Sequence, residues 1–175
     1  MLADDILDFA DQLGAASAAP AAPVERELHL VVFRLEREEY ALPIELVREV
    51  VRVTDITRVP HAPPHIRGVM NLRGRILPVV ETRSRLGLSP ATTTASSRVV
   101  VVEVNRRMVG LLVDGVGQVT RLGERHITAP PDEVRTAAAE AVTGVGRVGD
   151  RLLVLLDLER LLRSDVLDPS SPSPS

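Results

Sequence analysis

The sequence predicts an all-β fold, a sandwich or small barrels built from eight to ten short strands with little helix. Three observations carry this. The 45% apolar share lies mainly in Val, Leu, Ile and Ala, because Phe9, Phe33 and Tyr40 are the only aromatic residues, and β-branched side chains favour pleated strands. The apolar runs are short, as in "ELHLVVF", "RILPVV" and "RLLVLL". Tight-turn signals stand between them, among them Arg73-Gly74 and Asn105-Arg106.

Residues 1–13 can form a short amphipathic helix, with Leu2, Ile6, Phe9 or Ala10, and Leu13 near one face and Asp4, Asp8 and Asp11 elsewhere. Three turns alone are marginal in water. "GAASAAPAAP" (14–23) reads as an Ala/Pro linker, so 1–24 is either a flexible acidic tail or a tethered peptide for a partner's groove. From Glu27, "ELHLVVFRLEREEYALPI" predicts two strands around a tight turn near Glu36–Glu38. Both faces of the first strand are largely apolar, which predicts cover on two sides. Pro43 can open a helical turn, "PIELV". Residues 47–60 read as one strand, with Arg48, Val50 and Arg52 opposite Val47, Glu49, Val51 and Val53. "GVMNL" and "RILPVV" read as a hairpin turning at Arg73-Gly74, and Pro78 predicts an edge or a bulge in its second strand.

"TRSRLGLS" reads as a helical turn closed by Gly87. The loop 88–97 then divides the chain into two β-halves. Residues 98–122 predict two strands turning at Asn105-Arg106. A Pro-Pro loop, an Ala-rich segment and strands near 141–148 and 151–156 follow. A closing helix, 157–167, places Leu158, Leu161, Leu162 and Val166 near one face. "DPSSPSPS" (168–175) is a polar tail with no means to pack.

Bulk properties narrow the function. The 175 residues suffice for one domain or two tightly joined subdomains. A net charge of −3 argues against general binding to nucleic acid or anionic membrane. The absence of cysteine excludes disulfides and thiolate metal sites and fits a reducing compartment. No apolar run reaches the roughly 18 residues of a membrane span. The acidic N-terminus lacks the basic region of a secretory signal. The expectation is a soluble cytoplasmic protein.

Chemistry is hard to find. His61 and His65 lie four apart, but "HAPPH" cannot be a helix interior and no HExxH occurs, so no metal site is expected. No Ser lies in GxSxG. "GVGRVG" (144–149) superficially resembles a nucleotide loop but is followed by the strand-like "DRLLVLL", so it reads as hairpin glycines. No catalytic residue and no cofactor is expected. A small β-barrel that binds RNA or DNA is the alternative. Single-strand binding needs stacking aromatics beside a basic groove, and this chain has few; steep salt dependence would reveal phosphate contacts. The run 65–87 carries Arg67, Arg73, Arg75, Arg83 and Arg85 among aliphatic residues. Arginine's planar fork and packable stem suit a protein–protein contact, most of all where a Gly turn presents it, as at Arg73.

"IRGVMNLRGRILPVVETRSRLG" resembles the signature hairpin of the CheW family, the adaptor proteins of bacterial chemotaxis. "EEYALPIELVREVV", "RRMVGLLVDGVGQV" and "GVGRVGDRLLVLLDLERLL" are similar to further family blocks in the same order, so the likeness covers about 27–163. The resemblance implies two SH3-like five-stranded β-barrel subdomains side by side, with short helices and a C-terminal helix, spanning 25–167. It implies no catalysis and no cofactor. The implied role is to couple the cytoplasmic tip of chemoreceptors to the regulatory domain of a CheA-type histidine kinase in membrane-associated arrays, without nucleic acid and without membrane insertion. By resemblance Val47, Glu49, Arg73 and Val119 fall on the partner surface, with Glu49 and Arg73 close enough to share an ion pair. Gly68, Gly74 and Gly110 match positions that hold backbone geometry near that surface. Glu81-Thr82 departs from the family's usual Asp, which changes the carboxylate's reach.

Overall fold

Strands β1 (Glu27–Leu35) and β2 (Glu38–Pro43) pair antiparallel across the two-residue turn Glu36-Arg37. They open the computed structural model, which describes residues 26–90, 92–130 and 139–162. A 3-10 turn at Ile44–Leu46 leads from Pro43 into β3 (Val47–Arg52). The hairpin of β4 (Ile66–Leu72) and β5 (Arg75–Glu81) turns at Arg73-Gly74 and runs into α1 (Thr82–Arg85). Then come β6 (Arg98–Val104), β7 (Arg107–Val113), β8 (Gly115–Gly123), β9 (Ile127–Thr128), β10 (Val142–Val148), β11 (Arg151–Leu156) and α2 (Leu158–Leu161).

The strands form two sheets, ordered β8-β1-β2-β11-β10-β9 and β3-β6-β7-β5-β4. Most pairs are antiparallel hairpin neighbours. One parallel pair in each sheet, β2 with β11 and β5 with β7, brings in a strand distant in sequence. The period of two explains the packing. On β6, Val99 and Val101 join Met70, Leu77, Val79 and Leu112 in a cluster on one face of the second sheet. Val100, Val102 and Val104 point the other way, into a larger cluster with Phe33, Leu35, Tyr40 and Leu42 of the first sheet. On β1, Leu30 and Val32 enter a third cluster with Ala41, Leu122, Leu153 and Leu155. Each sheet therefore has its own core and both share one, so β1 is covered on two sides as its composition predicts.

Several expectations are corrected. The sheets have six and five strands rather than five each, and their strand orders are open: among the described residues no pairing joins β8 to β9 or β3 to β4. The described residues thus hold eleven strands. The chain does not divide at 88–97. The second sheet takes 47–113, and the first takes both ends of the fold around it. Residues 98–122 hold three strands, because the chain crosses from one sheet to the other at Asp114. The strand expected over 47–60 stops at Arg52, and only Thr57 forms a further bridge, to Val69.

Val47 and Val51 do not share a face. A register shift between Val47 and Glu49 adds one residue, so Val47 packs against the shared core while Val51 packs in the second sheet's own core. Pro78 lies on an inner strand, but the pairing of β5 with β7 begins only at Val79, so at Pro78 the strand has one partner. In "GVGRVG", Gly144 and Gly146 sit within β10, and the hairpin turn is Gly149-Asp150. A side chain at Gly146 would collide with Leu122, so that glycine serves close packing. The closing helix is seen as Leu158–Leu161, with Asp157 accepting the Arg160 N–H at 3.1 Å as N-cap. The segments 1–24 and 168–175 and the helix beyond Leu162 lie outside the described residues.

Candidate functional site

The β4–β5 hairpin presents Arg73 at its tip. Leu72 pairs with Arg75, so Arg73 and Gly74 form a two-residue loop, and both have positive φ, 52° and 85°. That is the backbone of a type I′ turn, which matches strand twist but favours Asn, Asp or Gly over a long side chain such as Arg at its first position. The Asn71 side chain stabilises the turn by accepting the Gly74 N–H at 2.9 Å. The guanidinium reaches across to β3 and donates to both carboxylate oxygens of Glu49, at 2.6 and 2.8 Å. This charge-assisted fork raises the Arg73 pKa above its ordinary value. Arg73 is 74% exposed and Glu49 24%. The pair therefore sits on open surface and joins the two edge strands' end of the second sheet, β3 to the β4–β5 turn.

The other two expected positions lie elsewhere. Val47 is partly buried against the shared core. Val119 is 54% exposed on β8, the edge strand of the other sheet, opposite Val31. The expected surface therefore draws on both sheets.

The glycines differ in what they do. Gly68 has φ 151° at a register shift in β4, and a side chain there would strike the carbonyl of Thr57, meeting its carbon at 2.8 Å and the Ile56 Cγ2 at 2.9 Å. The Thr57–Val69 bridge, with both N–H···O distances at 2.8 Å, requires that approach. Gly74 has open space around it. Gly110 was expected to hold backbone geometry, but its restriction is packing: a Cβ there would lie 2.6 Å from the Val99 Cγ1.

Three other arginines of the run are engaged within the protein. Arg67 donates to the buried Glu81 at 2.7 Å, so the longer carboxylate at 81 is an internal acceptor. Arg85 donates to the Leu161 carbonyl at 2.6 Å and ties α1 to α2. Arg83 grips Asp114, with Nε at 3.0 and 3.1 Å from its two oxygens and a further bond from Nη2. Asp114 also accepts the Glu36 N–H at 2.7 Å, and its carboxylate raises the Arg83 pKa. Arg83, Asp114 and Glu36 thus tie together α1, the crossing between sheets and the β1–β2 turn. Sequence reasoning missed this cluster; Asp before Gly at the crossing was the only local signal. Arg48 pairs with Glu103 and Arg151 with Glu39.

His61 is exposed in the Pro-rich connection and His65 is buried beside it. Among the described residues no three His, Asp or Glu are grouped to hold a metal ion. Among them, too, no helix is long and apolar enough to cross a membrane.

Comparison with known proteins shows the family. The CheW-like domain family matches residues 29–166. Chemotaxis protein CheW of Klebsiella aerogenes is 36% identical over 135 residues, covering 77% of this chain and 81% of that protein. Chemotaxis protein CheW of Rhizobium meliloti is 35% identical over 136 residues, covering 78% of this chain and 88% of that one. Among solved structures, the scaffolding protein TtCheW from Thermoanaerobacter tengcongensis is similar with a TM-score of 0.72 at 34% identity, covering 81% of this chain and 96% of that one.

Proposed function

Because the chain belongs to the CheW-like domain family, we propose that it is a non-enzymatic adaptor of chemosensory signalling. It couples the cytoplasmic tips of chemoreceptors to the regulatory domain of a CheA-type histidine kinase, in the cytoplasm at membrane receptor arrays. One observation carries the reading: the family match, 29–166, takes in both sheets and the shared core between them. Each sheet stands for one of the family's SH3-like subdomains. The functional domain is 25–167, with 1–24 and 168–175 outside it. Val47, Glu49, Arg73 and Val119 form the partner surface, and Gly68, Gly74 and Gly110 maintain its shape. The Glu49–Arg73 fork supports this assignment, because it fixes two opposite charges in one geometry on open surface at a hairpin tip, where a partner can reach both. Single contacts are of moderate affinity, and assembly in an array strengthens them through effective concentration.

The test is co-sedimentation with receptor cytoplasmic fragments displayed on nanodiscs and a CheA-type kinase, with kinase autophosphorylation as readout. Wild type activates the kinase. Arg73→Glu and Glu49→Arg each abolish activation while the protein stays folded. Wild type that binds neither partner would remove the coupling role, and reversals that leave activation intact would remove these two residues from the surface.

A further inference from the structure

A basic recess opens where β1 begins. It is bounded by the end of β8 with the following 3-10 turn and by the β10–β11 turn, and its volume is about 630 Å³. Arg121, Arg125 and Arg147 line it with His126 and a single carboxylate, Glu27, together with the apolar Leu122 and Val148. Arg125 donates to the His126 Nε2 at 3.2 Å. Among the described residues neither Arg121 nor Arg147 has a carboxylate within ion-pair distance. That sets them apart from the paired arginines of the second sheet. A concentration of positive charge on a chain of net charge −3 calls for an acidic occupant with apolar residues of its own.

We propose that this recess docks the chain's own N-terminal segment, residues 1–13. Residues 1–25 carry Asp4, Asp5, Asp8, Asp11 and Glu25 without a single Lys or Arg. The apolar residues Leu2, Ile6, Phe9 and Leu13 recur among the acids, and they match a recess lined by both basic and apolar side chains. The tether begins at the right place. The described chain starts at Arg26, and Glu27 itself lines the recess. Residues 14–25 form a twelve-residue connection that spans up to about 40 Å when extended. Other segments are poorer candidates. Residues 131–138 set Asp132 and Glu133 against Arg135, and 163–175 set Asp165 and Asp168 against Arg163. Tethering supplies an effective concentration of about 1 mM, so even a contact with a Kd of about 1 mM is half formed. Docked in this way, the segment keeps acidic surfaces of other proteins off the recess unless they bind more strongly.

The absence of cysteine makes the test clean. A nitroxide is placed on the full chain through Ala3→Cys, and its paramagnetic broadening of backbone amide resonances is mapped. Localised broadening at Gly123, Val148 and Gly149 is expected. It disappears in Arg121→Glu/Arg147→Glu, and equally when Asp4, Asp5, Asp8 and Asp11 are changed to Asn, a variant that leaves the strand-forming region untouched. It also fades between 0.1 M and 1 M salt, as the screening length contracts from about 10 Å to about 3 Å. Broadening spread evenly, centred on another surface or indifferent to both charge variants overturns the proposal. So does broadening that persists when labelled and isotope-enriched chains are separate molecules in a mixture, because the occupant is then a second copy.

Discussion

The three glycines near the proposed partner surface separate two physical effects that usually arrive together. Gly74 has positive φ and empty space around it, Gly110 has a methyl in the way of any Cβ, and Gly68 has both. Gly74→Ala therefore carries only the left-handed backbone penalty, about 1–2 kcal/mol. Gly110→Ala carries only overpacking against Val99, about 1–3 kcal/mol, and a modest rotation of that side chain relieves part of it. Gly68→Ala combines about 1–3 kcal/mol of backbone strain with a collision against the Thr57 carbonyl, which cannot rotate away. Its relief requires β4 to part from Thr57 and give up two hydrogen bonds of 2.8 Å, each worth about 1 kcal/mol. The expected total is about 4 kcal/mol, a large part of the roughly 5–15 kcal/mol that holds a domain together. Urea unfolding followed by circular dichroism measures it. With a slope of about 2 kcal/mol per molar, the Gly68→Ala midpoint falls by about 2 M and the Gly74→Ala midpoint by less than about 1 M. A Gly68→Ala protein no less stable than Gly74→Ala would refute the argument from close backbone approach.

Other consequences can be checked directly. Combining Arg73→Glu with Glu49→Arg restores the fork in reverse, so thermal stability is close to wild type; kinase activation stays low if partners read each charge at its own place, and recovers if they need only the pair. Asp114→Ala leaves Arg83 and the Glu36 N–H without their acceptor at a site only 13–19% exposed, and chemical denaturation should show a loss of about 2–3 kcal/mol, discounted from the fully buried case for partial solvent access. Tyr40 is buried and donates to Glu38 at 2.9 Å; burial first, then the neighbouring carboxylate, pushes its pKa well above the ordinary value of about 10. Above that pH the unfolded chain has lost the phenol proton while the folded one retains it, so stability declines as pH rises through the alkaline range and is unaffected by this group below it. As the chain has a single Tyr, ultraviolet titration assigns the transition, and Tyr40→Phe should flatten the alkaline limb.

Local chemistry was legible in the sequence, and long-range pairing was not. The turns at Glu36-Arg37, Arg73-Gly74 and Asn105-Arg106 follow from turn residues set between apolar runs. The two-sided burial of β1 follows from its lack of a polar face. Nothing in the alternation of apolar residues tells which strand a parallel partner will be, so the pairing of β2 with β11 was invisible, although it places Glu39 beside Arg151, 112 positions away. Asp114 was hidden for a related reason. The chain changes sheet in a single bend at Asp114, with β7 ending one residue before it and β8 beginning one residue after, so no loop marks the crossing. The resemblance brought Glu49 and Arg73 together; their 24-residue separation and ordinary composition would not have done so.

The irregularities of pairing explain where the candidate surface lies. Open sheets leave edge strands whose unpaired backbone groups invite wrong partners, and bulges and charges are the usual protection. Here β3, β4 and β8 are edges, and each has a register shift in its pairing: between Val47 and Glu49, between Ile66 and Gly68, and opposite Val31–Phe33 in β8. Val47, Glu49, Gly68 and Val119 all stand at these shifts. A bulge turns one side chain away from the alternation of its strand and adds twist. It thus allows Glu49 to reach the Arg73 turn while Val47 stays anchored in the shared core. The shift opposite Val31–Phe33 falls beside Val119, which stands exposed while its partner Val31 is buried. The devices that keep these edges from pairing indiscriminately therefore coincide with the proposed partner surface, where Glu49 and Val119 reach outward while Val47 and Gly68 stay packed. A scaffold whose partners bind along open sheet edges would require both properties of the same strands.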